Sequence, residues 1–164
     1  MIVEDESGAV FTVRLPLRSL SSDLEETSGD EARKQGSGLN SVRVLLVEDD
    51  PGTRQATQRL LELHGATVRI ATTSAEAKEA YGIERPSVIV CDIGLPGEDG
   101  YSLVRSIRRT ERDAGLSRVP AVAVTAFARE EDQKAALDAG FDQHIPKPID
   151  DDALLTTLAS LAHK

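Results

Sequence analysis

"VRVLLVEDDP", residues 42–51, carries four apolar side chains, Val44 to Val47, straight into three consecutive carboxylates, Glu48, Asp49 and Asp50. Adjacent like charges repel, so folding gains nothing from this cluster unless a cation sits among them. Residues 42–47 therefore predict a strand, and Glu48, Asp49 and Asp50 a candidate cation site at its end.

Working outward, similar short apolar runs recur at 67–71, 87–92, 121–125 and 142–146, and the central ones are nearly continuous Val, Ile and Ala. Such runs suit strands covered on both faces. Helical stretches with recognisable ends separate them. Pro51 to Leu63 places Ala56, Leu60 and Leu63 on one stripe before Gly65; Thr73 and Glu76 form a capping box for a helix reaching Glu84. Further helices are predicted from Asp99 to about Arg112, from Arg129 to Ala139 before Gly140, and after Asp150, which can cap a helix bearing Leu154, Leu155, Leu158 and Leu161.

Strict strand–helix alternation predicts an α/β fold, a doubly wound five-stranded parallel sheet with helices on both faces, because crossovers between parallel strands are right-handed. Ligands of such sheets gather outside the carboxyl ends of the strands. Polar residues stand there: Glu48 and Asp49 after the first run, Asp92 ending the third, Thr125 ending the fourth and Lys147 just past the fifth. Carboxylates with one ammonium and a hydroxyl suit Mg²⁺ and a phosphoryl group.

Composition narrows the function classes. The 164 residues suffice for one domain with tails, single cores needing about 100–150 residues. Net charge is −9, Trp is absent, and Phe and Tyr number only 3 and 2. A nucleic-acid binder concentrates basic and aromatic side chains, so nucleic acid is not an expected partner. No apolar run is long enough to span a membrane, and no basic signal region opens the chain, so no membrane contact and a cytoplasmic location are expected. Cys91 is the only cysteine, which rules out an internal disulfide.

"LLVEDD", "VIVCDIGLPGEDG", "AVAVTAFA" and "HIPKPI", in this order and spacing, resemble the receiver domain of two-component response regulators. The resemblance covers residues 42–164 and implies a (βα)5 flavodoxin-like fold with strand order 2-1-3-4-5. It implies that Asp92 is the phosphoacceptor, attacking a phosphohistidine to form an acyl phosphate. Mg²⁺ would be held by Asp49, Asp92 and the carbonyl of Gly94, with Glu48 acting through metal-bound water and Asp50 facing solvent. Lys147, the Thr125 hydroxyl and the Ala126 N–H would bind phosphoryl oxygens. Thr125 and His144, three residues before Lys147, would form the switch, His standing where Tyr or Phe is more familiar. A cis bond before Pro148 is implied, and Glu48 stands where Asp is usual.

"SGAVFTVRLPL", residues 7–17, resembles the last strand of a histidine-kinase ATP-binding domain. Residues 1–17 are read as its remnant and 18–41, rich in Ser, Gly, Glu and Asp, as a flexible linker. Together these imply the tail of a hybrid histidine kinase, whose partner is a phosphohistidine domain of a kinase or a histidine phosphotransfer protein. No Gly-rich ATP lid is present, and with the final helix expected to end near His163 no effector domain is expected to follow it. The chain is thus expected to promote only its own phosphorylation and dephosphorylation.

Two other functions compete. A haloacid-dehalogenase-like phosphatase also uses a strand-end Asp nucleophile, but wants a second Asp where Gly94 stands. A degenerate receiver would dock partners without accepting phosphate; retention of Glu48, Asp49, Asp92, Thr125 and Lys147 argues against it. Singly, each residue has a plain reading: a solvated helix-capping turn at 48–50, an ordinary strand residue at Thr125, a surface turn at Lys147. Their coincidence at one rim favours the site. Cys91 reads as a core neighbour, His64 and His163 as solvated helix ends, and Arg105, Arg108, Arg109 and Arg112 as the exposed side of the third helix.

Overall fold

The computed structural model describes residues 38–126 and 130–162. Five strands alternate with five helices: β1 Arg43–Val47, α1 Pro51–Leu63, β2 Thr67–Ala71, α2 Ser74–Ile83, β3 Val88–Asp92, α3 Gly100–Asp113, β4 Ala121–Thr125, α4 Glu130–Ala139, β5 Gln143–Pro146 and α5 Asp151–Ala162. All neighbouring strands pair in parallel, in the order β2-β1-β3-β4-β5. The doubly wound sheet follows from the alternation expected from the sequence. The strand expected at 9–17 lies outside the described residues.

Helix starts are set by side-chain caps. Asp50, Asp99 and Asp150 accept from the N–H of Thr53, Ser102 and Ala153, each at 2.7 Å, satisfying donors that the first helical turn leaves without partners. Asp99 is therefore a cap rather than the first helical residue. At α2 the Thr73 hydroxyl accepts from Glu76 N–H at 3.2 Å, while the Glu76 carboxylate takes the N–H and hydroxyl of Thr72 at 2.7 and 2.8 Å. The reciprocal half of the expected capping box is thus displaced by one residue, and α2 stops at Ile83 with Glu84 as its cap. Gly65 and Gly140 end α1 and α4 at φ 91° and 106°, the left-handed region that a side chain disfavours.

Two apolar layers cover the sheet. Leu45, Val47, Ile89 and Cys91 face α2, α3 and α4, packing with Tyr81, Leu103, Ile107 and Phe141. Val44, Leu46, Val88 and Val90 face the other way, onto Leu61 and the α5 leucines. The period-two alternation of strand side chains makes this division. β3 and β4 are buried throughout, whereas β2, at the edge, is mostly exposed. Arg69 lies midway along that edge and pairs with Glu84 at 3.8 Å.

The stretch assigned to a linker ends inside the domain. Leu39 is fully buried, and its N–H donates to His64 O at 2.8 Å. A single leucine among Gly, Asn and Ser gives no periodic signal, which is why composition placed the boundary at Val42. His64 is half-buried, with Nδ1 2.8 Å from Leu60 O, rather than fully solvated.

The basic side of α3 also needs correcting. Arg105, Arg109 and Arg112 are exposed, but the Arg108 side chain is only 11% exposed and pairs with Glu111, itself 3% exposed, at 2.8 Å. Glu111 further accepts from the Tyr81 hydroxyl at 2.8 Å and from Val119 N–H at 2.7 Å. Arg108 donates to Val119 O at 2.7 Å and Gly140 O at 2.9 Å, and reaches Asp142 at 3.4 Å. This polar knot joins α2, α3 and the starts of β4 and β5, at the end of the sheet opposite Asp92.

Gly100 seats α3 directly on β3. A Cβ there would lie 2.5 Å from Asp92 O and 2.9 Å from Ile93 Cα, backbone atoms that cannot swing aside. Gly100→Ala is expected to destabilise the fold by about 1–3 kcal/mol through overpacking, seen as a lower urea midpoint. An unchanged midpoint would show that α3 can lift without cost.

Candidate functional site

Register builds one rim of the sheet into a site. Val47 lies opposite Cys91 across the β1–β3 pair, so Glu48 and Asp49 emerge beside Asp92. Asp92 lies opposite Val124, which places Thr125 one residue further along the same rim, and Thr125 in turn pairs with Pro146. Lys147 follows, its N–H donating to Thr125 O at 2.7 Å. The Lys147–Pro148 bond is cis, as expected.

The side chains meet as the sequence expected. Oxygens of Glu48, Asp49 and Asp92 lie within 4.8 Å of one another. Lys147 Nζ stands 2.8 Å from Asp92 Oδ2 and 2.9 Å from Glu48 Oε2. Asp92 Oδ1 accepts from Gly94 N–H at 2.9 Å, and Glu48 Oε1 from Asp50 N–H at 3.2 Å. Lys147 thus bridges Asp92 and Glu48, whose side chain is only 3% exposed. The extra methylene of Glu relative to Asp supplies reach.

Loops around the rim are tied down. Ser74 Oγ donates to Glu98 O at 2.7 Å and Lys78 pairs with the Glu98 carboxylate at 2.8 Å, holding the loop that carries Gly94. Thr125 is buried and Ala126 exposed beside it. His144 lies outside the carboxylate cluster, half-buried on β5 and opposite Ala123, on the sheet face away from Ile145. Asp50 is exposed and caps α1, as its solvent-facing assignment requires.

Electrostatics follow from this packing. Burial pushes the Glu48 carboxyl above its usual range, with the hydrogen bond to Lys147 opposing it and the nearby Asp92 charge adding to it. Burial works against the Lys147 ammonium, but its bonds to Asp92 and Glu48 outweigh that and hold its pKa above the ordinary lysine value. Burial also pushes the Cys91 thiol up, which leaves it inert beside Asp92.

Three carboxylates around one ammonium leave an excess of negative charge in a partly enclosed space. The donors are hard oxygens from two adjacent strand ends, which fits Mg²⁺ better than a softer metal favouring His or Cys. Glu48, Asp49 and Asp92 are the residues that would hold it.

Comparison with known proteins agrees with this geometry. The response regulator receiver domain family matches residues 44–159. The chain is 39% identical over 112 residues to an uncharacterized 14.6 kDa protein of Leptolyngbya boryana, covering 68% of this chain and 83% of that one. It is 35% identical over 124 residues to the response regulator MprA of Mycobacterium ulcerans, covering 76% of this chain but only 51% of that protein, so it spans about half the length of such relatives. A signal receiver domain of a histidine kinase from Syntrophus aciditrophicus superposes with TM-score 0.67 at 27% identity, over 75% of this chain and 91% of that one. The Saccharomyces cerevisiae Ssk1 receiver domain, solved together with the histidine phosphotransfer protein Ypd1, superposes at TM-score 0.73 and 24% identity, over 76% and 90% of the two chains. From its motifs through its sheet order to this match, the chain belongs to the response regulator receiver domains of two-component signalling.

Proposed function

We propose that this domain accepts a phosphoryl group on Asp92 from a phosphohistidine, with Mg²⁺ held by Asp49, Asp92 and the Gly94 carbonyl and by Glu48 through water, and passes the change to its surface. The observation that carries the reading is the ammonium of Lys147 lying 2.8 Å from Asp92 Oδ2, with both other carboxylates alongside.

Asp92 needs no general base, being a carboxylate already. One of its oxygens would bond to phosphorus as the phosphorus–nitrogen bond breaks and its electron pair leaves with the imidazole. Catalysis is then a matter of alignment and charge. Lys147 and the Gly94 N–H hold the carboxylate in place beforehand. As negative charge moves onto the phosphoryl oxygens, the ammonium can follow it, and the Thr125 hydroxyl and Ala126 N–H stand on the same rim to bind another oxygen. When bound, Mg²⁺ supplies neutralisation of the phosphoryl oxygens. The altered hydrogen bonding at Thr125 would bias His144 on the adjoining strand, giving a two-state readout.

The donor we infer is a histidine phosphotransfer protein or the phosphohistidine domain of a kinase. Structural likeness to the Ssk1 receiver, solved with such a protein, supports this class. We also infer a place at the tail of a hybrid histidine kinase, supported by residues 7–17 and by likeness to a receiver from a histidine kinase. No helix among the described residues is long and apolar enough to cross a membrane.

The test is incubation with acetyl phosphate and Mg²⁺ followed by intact mass measurement. One phosphoryl group should be gained, and none without Mg²⁺. No gain under any condition would remove the phosphorylation reading and leave a docking module.

A further inference from the structure

The first turn of α1 carries a cation where a helix dipole disfavours one. Arg54 is the fourth residue of α1, and positive charge is unfavourable near a helix N-terminus. Its side chain feels the Asp50 and Glu76 charges, but its hydrogen bonds among the described residues go to carbonyls rather than carboxylates. Nη1 donates to Glu48 O at 3.1 Å and to Asp49 O at 2.8 Å, while the Arg54 main-chain N–H donates to Asp50 O at 3.0 Å. Three consecutive carbonyls of the acidic turn are thereby gathered onto one residue.

Fixing carbonyl directions fixes the peptide planes of the turn, and with them the directions in which the Glu48 and Asp49 side chains leave the backbone. A charged donor makes such bonds stronger than a neutral one would. Without the guanidinium, Glu48 is still held by Lys147, by Ala71 O and by the Asp50 N–H, and Asp50 by the Thr53 N–H, but the Glu48 and Asp49 carbonyls lose their charged donor. The Asp49 carboxylate, repelled by its neighbours, would then be the one free to move away from the cluster.

We propose that Arg54 is a positioning residue for the metal site, presetting Glu48 and Asp49 for Mg²⁺ through their own backbone. The inference rests on the metal reading of the preceding subsection. It opposes the simplest electrostatic expectation, because a guanidinium near the site repels a divalent cation, and its removal on that ground alone would tighten binding.

The two effects differ in sign, so substitution separates them. Arg54→Lys keeps the charge but loses the planar, longer-reaching donor group; Arg54→Gln loses both. Both are expected to weaken Mg²⁺ binding by about tenfold, the usual scale for groups that orient metal ligands. Binding is followed through the amide chemical shifts of Asp49 and Gly94 during a Mg²⁺ titration. Melting temperature is taken in EDTA, where a purely structural role would show and a metal-positioning role need not.

Tighter binding by Arg54→Gln with Arg54→Lys unchanged would show that only the charge matters and would overturn the proposal. So would binding equal to wild type in both variants, or weakening matched by a large loss of melting temperature in EDTA. Should Arg54→Gln fail to fold, Arg54→Lys decides alone. If wild-type shifts do not respond to Mg²⁺ at all, the metal reading itself falls, and this inference with it.

Discussion

Asp92→Asn is expected to abolish phosphoryl uptake from acetyl phosphate while leaving the fold intact. The amide keeps the size of the carboxylate but gives up the nucleophilic oxygen, and nothing nearby replaces it. The other carboxylates of the cluster, Glu48 and Asp49, are given to the metal in this reading. Stability is the second half of the expectation. Removing one of three crowded carboxylates relieves repulsion, and Lys147 keeps Glu48 as a partner, so the melting temperature in EDTA should stay level or rise. Mass measurement and thermal denaturation on the same sample decide it. A variant that still gains a phosphoryl group would place the acceptor elsewhere; one that no longer folds would mean the Asp92–Lys147 pair matters chiefly to stability.

The largest expected effect on stability lies far from that rim. Glu111→Ala should cost about 3–5 kcal/mol, the scale for removing one partner of a buried ion pair. The substitution strips the Tyr81 hydroxyl and the Val119 N–H of their acceptor and leaves Arg108 facing only Asp142 among carboxylates. Acid should reproduce part of the loss. Burial raises the Glu111 carboxyl, but the Val119 N–H, Arg108 and the Tyr81 hydroxyl together outweigh it, and its pKa is lowered on folding. A group whose folded pKa lies below its unfolded one stabilises the fold above the unfolded value, about 4.3 for Glu. That contribution fades as pH falls through the folded value. Urea midpoints of wild type and Glu111→Gln should therefore be well separated at neutral pH and converge in strong acid. A gap that is constant with pH would show that Glu111 acts by shape rather than charge.

Strand and helix order, the sheet layers and the whole rim were legible because each is a local pattern. Apolar runs end in polar residues, and parallel pairing then aligns those ends without further information. The polar knot around Arg108 was not legible in the same way. An arginine on a basic helix is ordinarily solvated, and its burial depends on Tyr81, Val119, Gly140 and Asp142, each brought by a different part of the chain. One signal was present nonetheless. Glu111 stands four residues after Ile107 and seven after Val104, so it lies on the apolar stripe of α3, where a carboxylate must find partners. Arg54 gave no such clue, since its role is carried by backbone oxygens that side-chain patterns do not register. Leu39 escaped notice because one buried residue has no period.

The exposed rim of β2 bears on how copies of this chain behave in a crowded solution. An open parallel edge offers unpaired peptide groups to any passing strand, which is how ordered aggregates begin. Arg69 sits midway along it, tied to Glu84, so two molecules zipping edge to edge would have to dehydrate guanidinium groups against each other. Like charge at the seam would oppose polymerisation of this module through its own sheet.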